Sequence, residues 1–126
     1  MRKISHSDQP LEEWRAGVTT RMHVSAANGA TQLCIFEQWV APDKGASTHT
    51  HPVEEVLSVI DGEADMWIEE THVVLAGGAS LIIPPGRRHG FRNVGSGMLH
   101  ICAILAAASF AASFEGRAVE RWAKPD

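Results

Sequence analysis

Turn-forming Gly, Pro and Asx residues interrupt this chain about every ten residues, and the stretches between them are apolar or alternating. Thr19 to Ser25 and Thr31 to Val40 flank Asn28-Gly29, which predicts a hairpin. Glu55 to Ile60 stops at Asp61-Gly62. Glu63 to Ile68 alternates Ala64, Met66 and Ile68 against Glu63, Asp65 and Trp67. Glu69-Glu70-Thr71 reverses the chain before His72 to Leu75, and Gly77-Gly78 turns it again before Ser80 to Ile83. Gly95-Ser96-Gly97 then leads into Met98 to Leu105. No βαβ rhythm and no internal repeat accompanies these strands, so the pattern predicts an all-β sandwich or barrel.

The ends are less decided. Leu11 to Trp14 reads as a brief helix or an arm. Residues 106–114 place Phe110 and Phe114 four apart, which suits a short packing helix or an extended cover equally well.

Chemistry concentrates in two stretches. The first is His49-Thr50-His51-Pro52-Val53-Glu54-Glu55, with Gly62 beyond; the second runs from Gly78 to Asn93 and contains Pro84, Gly86 and His89. Three imidazoles and a carboxylate make a full ligand set for a divalent transition metal. On a strand His49 and His51 share a face, about 6.6 Å apart at the backbone. A carboxylate at Glu55 would be about 13 Å from His51 on the same strand, too far to share an ion, so the chain is expected to turn at Pro52. Pro84-Pro85-Gly86 is a turn that swings His89 in from elsewhere. Alternation does not choose between Glu54 and Glu55, because Leu57 and Val59 or Val56 and Ile60 could each form the apolar face.

These stretches closely resemble the two signature motifs of the cupin superfamily. His49, His51, Glu55 and Gly62 match the first motif; Gly78, Pro84, Gly86, His89 and Asn93 match the second at every spacing. The resemblance covers about residues 30 to 105, and it selects Glu55 over Glu54, which is left to face solvent. One departure stands out: Asp43 occupies the place of the first motif's leading glycine, and the nearest glycine is Gly45, which predicts a rearranged loop.

The resemblance implies a double-stranded β-helix, the jelly-roll barrel, antiparallel with short terminal arms. It also implies one metal (Fe, Mn, Ni, Cu or Zn) held by His49, His51, Glu55 and His89. It implies a small-molecule substrate or ligand in the barrel and arms that pack across a homodimer. An enzyme of dioxygenase type is the first expectation, with Glu55 doubling as a proton acceptor. A non-catalytic metal-dependent sensor, or a cupin isomerase, decarboxylase or lyase, is the alternative.

Composition bounds the rest. At 126 residues the chain is expected to form a single domain, 1–126. Its net charge of −4 is spread without runs, which argues against a nucleic-acid partner. No apolar stretch is long enough for a membrane span, and the first residues lack a signal peptide's apolar core, so a cytoplasmic home is expected. Cys34 and Cys102 are expected as buried free thiols.

Gly62, Gly78 and Gly86 read as turn devices and Asn93 as structural. Phe91 shares parity with His89 and is a candidate pocket residue, whereas Arg87 belongs at the rim. His100 is a candidate for pocket or interface; His6, His23 and His72 are expected at the surface. One of Glu37, Gln38 and Trp39 could line the cavity, and Trp14 and Arg21 are unplaced.

Overall fold

The computed structural model describes residues 1–115 and 120–122. Its strands are β1 (Leu11–Arg15), β2 (Val18–Val24), β3 (Cys34–Val40), β4 (Gly45–Thr50), β5 (Glu55–Asp61) and β6 (Glu63–Ile68). They continue as β7 (Thr71–Ala76), β8 (Ala79–Ile83), β9 (His89–Asn93), β10 (Leu99–Leu105), β11 (Phe110–Phe114) and β12 (Glu120–Trp122). One sheet runs β1-β2-β3-β10-β5-β8 and the other β12-β11-β4-β9-β6-β7. From β3 onward the chain crosses repeatedly between the sheets, and the pairings are antiparallel. This is the double-stranded β-helix.

Strict alternation builds the core. Cys34, Phe36, Gln38 and Val40 point inward from β3, and Leu99, Ile101, Ala103 and Leu105 from β10. The opposite sheet contributes Ala64, Met66, Phe91, Phe110 and Phe114. A fully buried Ile101, Leu105 or Met66 contributes about 1.5–3 kcal/mol through the apolar surface it removes from water.

Two open readings are decided and one expectation is corrected. Residues Leu11–Arg15 form an edge strand, not a helix, because they pair with β2. The 106–114 stretch is extended: β11 gives the edge of β4 a partner, and strand parity as well as helical spacing puts Phe110 and Phe114 on one face. β2 and β3 do pair as a hairpin, but not through a tight Asn28-Gly29 turn. A 3₁₀ turn at Ala26–Asn28 intervenes. The Ser25 hydroxyl accepts from the Ala27 N–H at 3.2 Å, and Asn28 Oδ1 accepts from the Ser25 N–H at 2.9 Å, closing a capping box. That turn delays the strand start from Thr31 to Cys34.

The loop before β4 makes a left-handed turn without a glycine. Asp43 itself adopts φ +67°, the left-handed conformation that Asp tolerates better than most residues. Asn93 ties this loop down. Its N–H donates to the Lys44 carbonyl at 2.8 Å, its carbonyl accepts from the Asp43 N–H at 3.1 Å, and its amide nitrogen donates to Val40 and Gly97 carbonyls. Asn93 is structural. Gly45 instead lets two strands approach closely, since a Cβ there would collide with the Phe91 backbone.

Candidate metal centre

His49 is the last residue but one of β4, His51 follows the strand, and Pro52 lies in the crossing to the other sheet, where β5 begins at Glu55. The sheet change removes the 13 Å problem, because Glu55 returns from the facing wall. Register adds a second device. β4 and β9 pair in step at Gly45↔Arg92 and Ala46↔Phe91, then a bulge shifts the ladder so that His49 lies opposite His89. The turn before β9 is pinned to the first motif by the Gly86 N–H, which donates to the His51 carbonyl at 2.8 Å. Gly86 has φ +76°, so its glycine is required by the backbone.

The four side chains meet. All four residues are buried, and one ligand atom from each lies within 4.8 Å of every other. Glu55 Oε1 is 3.1 Å from His89 Nε2 and 3.5 Å from His51 Nε2. The other ring nitrogens are spoken for: His49 Nδ1 donates to the Ser47 carbonyl at 2.6 Å, His51 Nδ1 to Ala111 at 2.7 Å and His89 Nδ1 to Arg87 at 2.8 Å. A carbonyl can only accept, so each neutral ring carries its proton on Nδ1 and offers a bare Nε2 lone pair. Packing fixes the ring planes. Phe114 stacks on His49 with centroids 4.8 Å apart, and Phe110 meets His51 edge-on at 5.2 Å.

Electrostatics agrees with the geometry. Burial raises the Glu55 carboxyl, but the adjoining His51 and His89 rings outweigh it and bring the pKa down to about 2. Burial, with His89 close by, lowers His49 to about 3. Burial also opposes charge on His51, yet Glu55 and the Ala111 carbonyl raise its pKa above the usual value. A carboxylate and three imidazole lone pairs converge on one point, and the buried His51 Nε2 has no hydrogen-bond partner. A cation at that point satisfies all four, so the residues fit the divalent metal that such a donor set selects.

The structure separates the neighbouring candidates. Glu55, Leu57 and Val59 face inward while Glu54 is exposed. Gln38 and Phe91 line the cavity, and so does Trp14. Gln38 donates from Nε2 to the Thr20 hydroxyl at 3.1 Å. Glu37 and Trp39 face outward with His100, whose Nε2 lies 3.2 Å from Glu37 and whose ring stacks on Trp39. His100 is therefore no cavity residue. Arg21 pairs across from Glu37 on that outer face, and Arg87 is exposed against Glu69. His6 and His72 are exposed as expected, but His23 is buried beneath the His6 ring, 3.7 Å away. Cys34 is buried, Cys102 half-buried, and both are free thiols. Sequence reasoning missed Phe110 and Phe114 as supports of the histidines; their shared parity with the buried face was the available signal. Arg15 at the cavity wall had no such signal.

Comparisons with known proteins agree with this fold. A family model described as the cupin domain matches residues 36–105. Protein SchB of Streptomyces halstedii is 30% identical over 95 residues, which span 75% of this chain and 69% of that protein. The polyketide cyclase RemF of Streptomyces resistomycificus superposes with a TM-score of 0.77 at 18% identity, covering 94% of this chain and 87% of that one. Oxalate decarboxylase of Bacillus subtilis also reaches 0.77, at 19% identity over 87% of this chain and 31% of its own. Among the described residues no helix is long and apolar enough to cross a membrane.

Proposed function

This chain belongs to the cupin family, and we propose that it is a metal-dependent enzyme acting on a small organic molecule through oxygen donors that reach the His49, His51, Glu55 and His89 centre. The observation that carries this reading is the set of three Nδ1–H donations to backbone carbonyls, which leaves three aligned Nε2 lone pairs around one carboxylate. A metal bound there would supply Lewis acidity and, if redox-active, a place for dioxygen. Glu55, ionised at neutral pH and 3.1 Å from His89 Nε2, is the carboxylate placed to accept a proton from substrate. Gln38, held by the Thr20 hydroxyl, joins Arg15 as a polar side chain in the cavity wall, and Phe36, Phe91 and Phe110 exclude water.

The oxygenase is the first reading of the reaction. A non-redox reaction at a carbonyl is the second, favoured by the likeness to a polyketide cyclase over most of this chain. The whole chain, 1–126, acts as one domain in this reading, in the cytoplasm. It pairs as a homodimer, supported by exposed Ile60, Ile82 and Ile104 on the outer face of one sheet.

The test is turnover of small diketones, enols and 2-oxo acids by metal-loaded protein, with and without oxygen. Conversion lost in His89→Ala supports an enzyme, and its oxygen requirement separates the two reaction readings. Tight, metal-dependent binding without conversion of any bound compound overturns it in favour of a sensor or carrier.

A further inference from the structure

The internal cavity beside Glu55 leaves about 20 Å³ for the centre of a water-sized sphere, the room of one water or ion. A substrate body does not fit there. Four wall residues, Trp14, Arg15, Ala46 and Phe91, also line an open groove of about 510 Å³ on the same measure. A depression of about 270 Å³ on another side touches His49 but not Glu55. The groove thus shares a wall with the cavity that holds both His49 and Glu55, and a molecule too large for the cavity can lie against that wall.

Its charge runs against that of the chain. The chain carries −4, yet the groove is lined by Arg15, Lys44 and Arg92 with Asp43 as its one carboxylate. That carboxylate is already engaged, accepting from Arg92 Nη1 at 3.2 Å. Arg15 is part of the wall, its guanidinium 5.5 Å over the Phe114 ring. Lys44 is held at its root: a Cβ on Gly17 would meet the Lys44 Cγ at 2.6 Å, so the lysine stem lies across the turn between β1 and β2. Trp67 offers a flat flank, anchored by its Nε1 donating to the Thr48 hydroxyl at 2.9 Å.

We infer that this groove binds the anionic extension, carboxylate or phosphate, of a substrate whose donor oxygen points into the cavity at the wall formed by Trp14 and Phe91, with Lys44 and Arg92 as its binding residues. The inference rests on the proposed metal-dependent function. It adds that the substrate has two parts, and that specificity for the tail is set outside the barrel. Salt-screened attraction by two exposed cations would both gather and orient such a molecule.

Hydroxamates of graded chain length test this on the metal-loaded protein, each ending in methyl, carboxylate or phosphonate, with acetohydroxamate as the bare head. At one or more lengths an anionic end is expected to tighten binding about tenfold over the methyl end at low salt, with most of that gain gone at high salt. Lys44→Met and Arg92→Met are each expected to remove a several-fold share and to leave acetohydroxamate binding unchanged. The carboxylate or phosphonate that gains more identifies the tail. Equal binding of charged and uncharged ends at every length, or a gain that survives both substitutions together, overturns the groove while acetohydroxamate binding keeps the metal reading. Failure of acetohydroxamate itself to bind overturns both.

Discussion

His51 Nδ1 lies 2.7 Å from the carbonyl of Ala111, sixty residues further along the chain. The last described strands are therefore not mere cover. β11 fixes the tautomer of one imidazole through that carbonyl, and its Phe110 and Phe114 rings set the planes of His51 and His49. The orientation of His49 and His51 is borrowed from a strand that carries neither of them.

Phe114→Leu is expected to lower metal affinity about tenfold, since partners that orient a ligand commonly contribute that much. The sheet pairing of β11 with β4 should survive, because leucine keeps most of the buried volume. Competition with a metallochromic chelator, alongside circular dichroism, reads both. Unchanged affinity with an intact fold would show that the ring is packing alone.

The metal-free protein is expected to be most stable near pH 6.5. His49 has a folded pKa of about 3, so between 6.5 and 3 the unfolded state binds the proton and stability falls with pH. Glu55, lowered to about 2, contributes fully above its unfolded value near 4.5 and loses that contribution as pH falls further. His51 is shifted the other way; its contribution is complete below 6.5 and is lost as pH rises through the folded value. Burial and the neighbouring His6 lower His23, which adds to the acid limb. Urea titrations in a chelator should show a slope of up to about 1.4 kcal/mol per pH unit for each proton taken up. His49→Gln should flatten the limb above pH 4.5. A metal-free protein that gains stability toward acid would contradict the assigned burial.

Asp43→Ala is expected to cost about 1 kcal/mol, because alanine lacks the local polar compensation that lets Asp hold φ +67°. Asp43→Gly should lie within about 0.5 kcal/mol of wild type, the relief at a left-handed position offsetting the freer unfolded chain. The Asp43–Arg92 pair is exposed and adds little. Denaturant midpoints at neutral pH compare the three proteins; a stable Asp43→Ala would mean the loop relaxes to another conformation.

Much of this was legible in the order of residues. Each strand expected between Glu55 and Leu105 falls within a residue or two of its place, because Gly, Pro and Asx turns punctuate them, although β9 was not among those expected. The two motifs named all four residues that the fold brings together. Glu55 was chosen only by motif spacing. Periodicity failed there because the barrel's outer face is also apolar: Val56 and Ile60 face out while Leu57 and Val59 face in. The 106–114 stretch was ambiguous because a four-residue interval satisfies both strand parity and helical spacing; the decision lay in β4, which needed an edge partner. His23 looked like a surface histidine because its cover, His6, comes from a segment outside the barrel strands. Asp43 shows the converse: a position without glycine still takes a left-handed conformation, since an aspartate can adopt it.

The metal content of protein purified without added metal tests the central claim most directly, with His51→Ala and Glu55→Ala measured alongside. Near one equivalent of a divalent transition metal in the wild type, largely lost from both folded variants, is the expected result. A wild type that neither holds nor takes up metal, or folded variants that keep a full complement, would contradict the four-residue centre.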